Sequence, residues 1–99
     1  MKKSDEEKRD RRDRGTIQAL LDRFNKQRMP RVVAMKEKVY AGELLDDRDL
    51  RLIREMRNDA KQIRGILERH PEYQELVAGG IGMLNEISEK DAENRKAKK

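Results

Sequence analysis

The sequence predicts an all-α fold, a small antiparallel bundle of three to four helices with a long central helix. Apolar residues recur every three or four positions along most of the 99-residue chain, as they do on one face of a helix. Charged residues make up 45 % of the chain and aromatic residues only 3 %, a composition typical of small helical bundles. Helix-starting and helix-ending residues also bracket the longest apolar repeat. Together these features predict one small helical domain.

The first element is a charged arm over residues 1–15, followed by the domain at 16–90. Residues 1–14 hold one apolar side chain, Met1, among interspersed acids and bases, so we expect a flexible arm or a frayed extension of the first helix. Gly15 and Thr16 then predict a helix start. Four apolar residues follow at helical spacing: Ile17, Leu20, Leu21 and Phe24.

Proline and glycine predict the bounds of the second helix. Because proline suits the first turn of a helix, Pro30 predicts a new or sharply kinked helix that runs to about Tyr40. Gly42 then supplies the left-handed residue that ends a helix. A short connection follows, whose Leu44 and Leu45 we expect to close one end of the bundle.

The central helix is predicted from Asp46 to Pro71. Asp46 and Asp47 cap its start, and Pro71 ends it because proline has no backbone N–H. One apolar stripe runs along it: Ile53, Met56, Ala60, Ile63 and Leu67. Beside that stripe lies a row of cations, which we call the basic ridge: Arg54, Arg57, Lys61 and Arg64.

The last helix is predicted to start at Pro71 and to cross a glycine-rich stretch. Gly79, Gly80 and Gly82 either break it into two short helices or lie within one continuous helix. The apolar register is the same on both sides, which favours continuity, with Gly80 allowing another helix to approach closely. Residues 91–99 lack periodic apolar residues and predict a frayed polar tail.

The expected core contains apolar residues from all the predicted helices: Leu20, Leu21, Phe24, Val32, Val39, Ile53, Met56, Ile63, Leu67, Leu76, Leu84 and Ile87. Leu50, Leu52 and Ile66 lie off the central stripe and predict an apolar docking surface. A short, weakly apolar chain gains stability by association, so we expect a homodimer as well as a protein partner.

The residues exclude most catalytic chemistry. There is no cysteine, and His70 is the single histidine, so neither a thiol nucleophile nor a usual zinc site is available. Asp46, Asp47 and Asp49 do not follow the calcium-loop pattern. We therefore expect no enzyme, no metal and no cofactor. The sequence has neither a secretory signal nor an apolar run that would cross a membrane, which predicts a cytoplasmic protein.

Net charge is +5 and unevenly distributed. Residues 15–40 carry six Lys and Arg against two Asp and Glu, whereas residues 71–90 carry one against four. These parts either face each other within the bundle or leave a basic surface for an anionic partner. A second group of cations lies around Pro30: Arg23, Lys26, Arg28 and Arg31.

Two functions fit this pattern. The leading hypothesis is a non-enzymatic helical protein–protein interaction module, an adaptor or regulator, because apolar helix surface is in surplus and a catalytic set is missing. The alternative is a nucleic-acid-binding protein that uses the basic ridge and the cations around Pro30. Against the alternative, Asp46, Asp47 and Asp49 lie where a recognition helix would read bases, and stacking aromatics are few.

Overall fold

The computed structural model describes residues 2–98, and every regular element within that range is helical. The all-α prediction is confirmed. In chain order the elements are α1 (Lys2–Arg23), a π-helical segment (Phe24–Arg28), α2 (Met29–Tyr40), α3 (Asp47–Gln62), α4 (Arg64–Arg69), a 3₁₀ turn (Pro71–Tyr73) and α5 (Gln74–Ala97). The chain divides into two compact units, of which the first ends at Pro30 and the second begins at Arg31.

In the first unit, α1 begins at Lys2 and passes through Gly15 without a new start. Of the two alternatives for residues 1–14, a flexible arm or an extension of the first helix, the structure shows a helix from Lys2 onward. Local side-chain pairs one turn apart support the helix, as in the 3.0 Å ion pair between Arg14 Nε and Asp10 Oδ2. The Thr16 hydroxyl, expected to cap a helix start, instead donates to the Arg12 carbonyl one turn back.

The chain stays helical at Pro30, because the turns before it are π-helical. The Met29 N–H donates to the Phe24 carbonyl five residues back, so this part of the helix is wound more loosely than an α-helix. Proline has no N–H and its ring clashes with the carbonyl four residues earlier. A wider turn relieves both problems. The predicted new helix at Pro30 thus corresponds to α2, which begins at Met29.

The turn after α2 follows its prediction closely. Gly42 has φ +87°, the left-handed conformation expected of a residue that ends a helix. The Glu43 N–H closes the end by donating to the Lys38 carbonyl. At the start of α3 the Asp46 carboxylate accepts from the Asp49 N–H, and the Asp49 carboxylate accepts from the Asp46 N–H. This reciprocal capping box confirms that these aspartates cap a helix.

The predicted central helix is interrupted. It divides into α3 and α4 at Ile63, whose backbone angles (φ −95°, ψ 6°) leave the helical region. A β-branched residue two positions before Gly65 places two poor helix formers in the same turn. The basic ridge is therefore not a single helical row, because Arg64 belongs to α4.

Helix α5 is continuous through its glycines, as predicted. The expected close approach at Gly80 is wrong, since a Cβ placed there would meet no atom within 4 Å. The prediction that residues 91–99 form a frayed tail is also wrong, because α5 runs to Ala97 and buries Asp91 and Asn94.

In the second unit the buried apolar side chains come from α2, α3, α5 and the segments between them: Val32, Met35, Val39, Leu45, Leu52, Ile53, Met56, Ile63, Leu84 and Ile87. Leu76 was expected in this core but is 57 % exposed. Leu20, Leu21, Phe24 and Leu67 are only half-buried. No helix within residues 2–98 is long and apolar enough to span a membrane.

Candidate interaction surfaces

The basic ridge lies on the surface of the second unit. Arg54, Lys61 and Arg64 are exposed and Arg57 is half-buried. Within residues 2–98 none of the four forms an ion pair. These cations are therefore not neutralised by the described part of the chain.

Two glutamates of the acidic stretch 71–90 have contacts outside the basic ridge. Glu86 accepts from the Tyr40 hydroxyl and lies 3.8 Å from Lys36 Nζ. The hydrogen bond to Glu86 raises the pKa of Tyr40. The Glu72 carboxylate lies 3.4 Å from the ring of His70. Glu72 and Glu86 therefore do not neutralise the basic ridge.

An exposed leucine continues the α3 part of the ridge. Leu50 is 37 % exposed and lies four residues before Arg54, on the same side of the helix. Steps of four, three and four residues connect Leu50, Arg54, Arg57 and Lys61 into one stripe. We call these four residues the α3 docking face.

The docking role predicted for Leu52, the other leucine of α3, is wrong. Leu52 is buried, at 7 % exposure, so it belongs to the core and not to a docking surface. It lies next to Ile53 in sequence and one turn before Met56, both buried, which widens the buried side of α3 beyond the predicted stripe. Ile66, on α4, is half-buried.

The cations predicted around Pro30 fall into different settings. Arg23 and Lys26 are exposed in the first unit, where Arg28 is half-buried. Arg31 belongs to the second unit, and its guanidinium lies 3.4 Å from the Asp49 carboxylate. Arg31 is therefore a structural contact between α2 and α3.

Asp49 is the centre of that structural contact. Its side chain is 12 % exposed and lies 3.0 Å from Lys38 Nζ. The hydrogen bond to Asp49 raises the pKa of Lys38. The Asp49 N–H lowers the pKa of the Asp46 carboxyl, with a smaller contribution from the Lys38 charge. Asp46 and Asp49, through Lys38 and Arg31, thus hold the start of α3 against α2, whereas Asp47 is exposed.

A shallow surface groove of about 490 Å³ lies between α4 and α5. Its lining is Arg64, Leu67, Glu68, Gln74, Val77, Ala78, Ile81, Gly82 and Asn85. Its lining surface is mostly apolar, and Leu67, Val77 and Ile81 are all half-buried. The sequence predicted that Leu67 lies in the core, because periodicity gives a helix face but not whether anything covers it.

A buried polar cluster on α5 was missed altogether. The Asn94 amide donates to the Val39 carbonyl at 2.8 Å and to the Glu43 carbonyl at 3.0 Å. The Asp91 carboxylate accepts from the Leu45 N–H at 2.9 Å. We call Asp91, Asn94 and Arg95 the α5 clamp.

Arg95 completes this clamp. Its Nε donates to Asp91 at 2.8 Å and its Nη2 to the Leu45 carbonyl at 2.9 Å. A signal for these residues was present, because Asp91 and Asn94 continue the spacing of Leu84 and Ile87 by steps of four and three. The prediction missed them because it counted only apolar residues as members of the buried face.

The single histidine of the sequence lies between α4 and α5. His70 is buried beside Tyr73 at the junction between α4 and α5. Across residues 2–98, no three His, Asp or Glu side chains cluster in a way that would hold a metal ion. In comparisons with known proteins, no family model, no curated protein and no solved structure matches this chain.

Proposed function

We propose that this chain is a non-enzymatic helical protein-interaction module, and that its partner binds the α3 docking face. The observation that carries the proposal is that Arg54, Arg57 and Lys61 have no ion-pair partners among the described residues. They lie in one row beside the exposed Leu50, and no residue of the described chain pairs with them. A row of unpaired cations around an apolar side chain fits an acidic amphipathic segment.

The chemistry of this face favours a protein over a nucleic acid. Arginine is enriched in protein interfaces, and an exposed leucine offers an apolar anchor for which a phosphate backbone has no counterpart. The exposed Asp47 lies one turn before Leu50 and would repel phosphates. No aromatic side chain lies in α3 to stack on a base.

The experiment is a tagged pull-down of the full chain from the native lysate, with and without nuclease, read by mass spectrometry. The test variant carries Arg54→Gln, Arg57→Gln and Lys61→Gln, which keep the aliphatic stems and remove three charges. The control carries Arg9→Gln, Arg11→Gln and Arg12→Gln, which remove three exposed charges from α1. Both variants change net charge equally, so a loss specific to the first identifies the α3 docking face.

We expect a protein partner to survive nuclease, to bind the control variant, and to fall at least about tenfold in recovery with the α3 variant. Recovery that disappears with nuclease, and a purified affinity for a DNA or RNA oligomer that falls by about one log unit per log of salt for each phosphate neutralised, would replace this proposal with nucleic-acid binding. Equal recovery with both variants would show that the α3 docking face is not the site.

A further inference from the structure

The two ends of the α3 docking face differ in chemistry. At its N-terminal end lies Leu50, an exposed apolar side chain. The exposed charges within three residues of Leu50 have both signs: Asp47, Arg48 and Arg51. Towards the C-terminal end lie Arg57 and Lys61, and the exposed Arg64 at the start of α4 follows them. A ligand on this face therefore meets an apolar contact at one end and a run of cations towards the other.

The acidic residues in the C-terminal half of α3 lie off this face. They are Glu55 and Asp59. Each residue turns the helix by about 100°, so Glu55 lies about 100° from Arg54, and Asp59 lies about 200° from Arg57. Asp59 is also half-buried and has contacts of its own. No carboxylate on the same side of α3 therefore cancels the positive potential of the face, which favours a ligand with a row of carboxylates.

The spacing of the face fits a helical ligand. Along the axis of α3 the successive steps from Leu50 to Arg54, Arg57 and Lys61 are about 6, 4.5 and 6 Å. A helix that lies along α3 repeats these steps, because its own residues four, three and four apart share one side. Side chains on one face of an extended strand recur about every 6.6 Å, so three such steps overrun the face by about 3 Å. A helix can thus oppose one carboxylate to each cation and an apolar residue to Leu50.

The helix macrodipole distinguishes the two directions in which such a ligand could run. Carboxylates stabilise a helix near its N-terminus and destabilise it near its C-terminus. The N-terminal turns of an antiparallel ligand lie opposite Arg57 and Lys61, so the carboxylates that these cations attract also stabilise the ligand helix. A parallel ligand would need the same carboxylates in its last turns, where they oppose its dipole. On the basis of the interaction function proposed above, we propose that the partner binds as a helix antiparallel to α3, with carboxylates in its N-terminal half and an apolar residue against Leu50.

Two designed peptides test the direction, with binding to the purified full chain measured by calorimetry at low ionic strength. Both have acetyl and amide ends and carry three glutamates and one leucine on an alanine and glutamine background. The acid-first peptide has the three glutamates and then the leucine, at steps of four, three and four residues. The acid-last peptide has the reverse sequence, which matches the face equally well in the parallel direction. We expect the acid-first peptide to bind at least about threefold more tightly, and to become helical on binding.

A charge exchange tests the direction within one peptide. Lys61→Glu should weaken binding of the acid-first peptide about fivefold, because it places a carboxylate opposite a carboxylate. Lysine in place of the first glutamate of the peptide should restore the affinity, whereas lysine in place of the third should not, since the antiparallel register places the third against Arg54. Lys61 is exposed near the end of α3, so the variant should stay folded, which circular dichroism checks.

The two triple Gln variants serve as matched controls. The α3 variant should lose most of its affinity for the acid-first peptide, and the α1 variant, with the same net charge, should keep it. Peptide binding that the α3 variant retains would overturn the proposal, because the peptide would then bind elsewhere.

Tighter or equal binding of the acid-last peptide, or rescue of Lys61→Glu by lysine at the third glutamate, would overturn the antiparallel direction. Failure of both peptides to bind the wild type would overturn the helical ligand. These outcomes are separate from the proposed function, because the pull-down tests whether a protein partner needs the α3 docking face, whatever the structure and direction of its binding segment.

Discussion

The two halves of α5 have the same secondary structure and opposite surroundings. The C-terminal half buries Leu84, Ile87, Asp91 and Asn94 and has hydrogen bonds to the α2–α3 connection. Over the N-terminal half, Gln74 to Gly82, no residue is fully buried. One half is fixed by tertiary contacts, and the other remains helical mainly through its own backbone.

The difference shows that one half of α5 stabilises the fold, whereas the other half leaves its surface uncovered. Glycines disfavour helix by about 1 kcal/mol each, and all those of α5 lie in the weakly packed half. Since nothing lies near their missing side chains, packing within the chain does not explain them. The clamp half holds the second unit together, and the groove half is not covered by any other part of the described chain.

The largest effect is expected when one apolar side chain in each half of α5 is truncated to alanine and the two losses of stability are compared. Ile87→Ala should destabilise the protein by about 3 kcal/mol, because it removes a side chain of 0 % exposure and leaves a cavity. Leu76→Ala should change stability by less than about 0.5 kcal/mol, since Leu76 is largely exposed. Urea unfolding at low micromolar concentration measures both. Similar losses from the two variants would contradict the division of α5.

A smaller effect is expected in the clamp. Asn94→Ala should cost about 2 kcal/mol, because the Val39 and Glu43 carbonyls lose their donor and one buried polar contact is removed from each. Asn85→Ala is the control on the same helix, since Asn85 is exposed and should tolerate the change. If both variants unfold at the wild-type urea midpoint, the clamp contributes nothing measurable.

The smallest effects should be gains at the α5 glycines. Gly79→Ala and Gly80→Ala should each stabilise the protein by about 0.5–1 kcal/mol, because alanine favours helix and no atom lies within 4 Å of the added carbon. Gly42→Ala should instead cost about 1–2 kcal/mol, because the backbone there is left-handed. Thermal unfolding followed by circular dichroism resolves both signs. A loss at Gly79 or Gly80 would reveal a neighbour that the monomeric chain does not contain.

Local chemistry was predictable from the sequence. The capping box at Asp46 and Asp49 and the left-handed Gly42 depend on one or two residues and their immediate neighbours. The continuity of α5 followed from a register that the glycines do not disturb. Each of these features is decided within about one turn of helix, which is the range over which residue type controls conformation.

Features that depend on tertiary surroundings were not predictable. The helical spacing of Leu76 and Ile87 is equally good, yet one is exposed and the other buried, because burial depends on whether another element arrives. Asp91 and Asn94 appeared to be tail residues because their partners lie about fifty residues earlier in the chain. The break at Ile63 likewise could not be predicted from helix propensity alone, since the helical and turn conformations differ there by only a small free energy.

The clamp has a consequence for how this chain folds during synthesis. Its hydrogen bonds join residues 39–45 to residues 91–95, near the last turns of α5. Domains form their distant contacts only after both participating segments have left the ribosome. The carbonyls of Val39, Glu43 and Leu45 therefore stay without these partners until residues 91–95 have left the ribosome, and only then can the clamp close the α2–α3 hairpin.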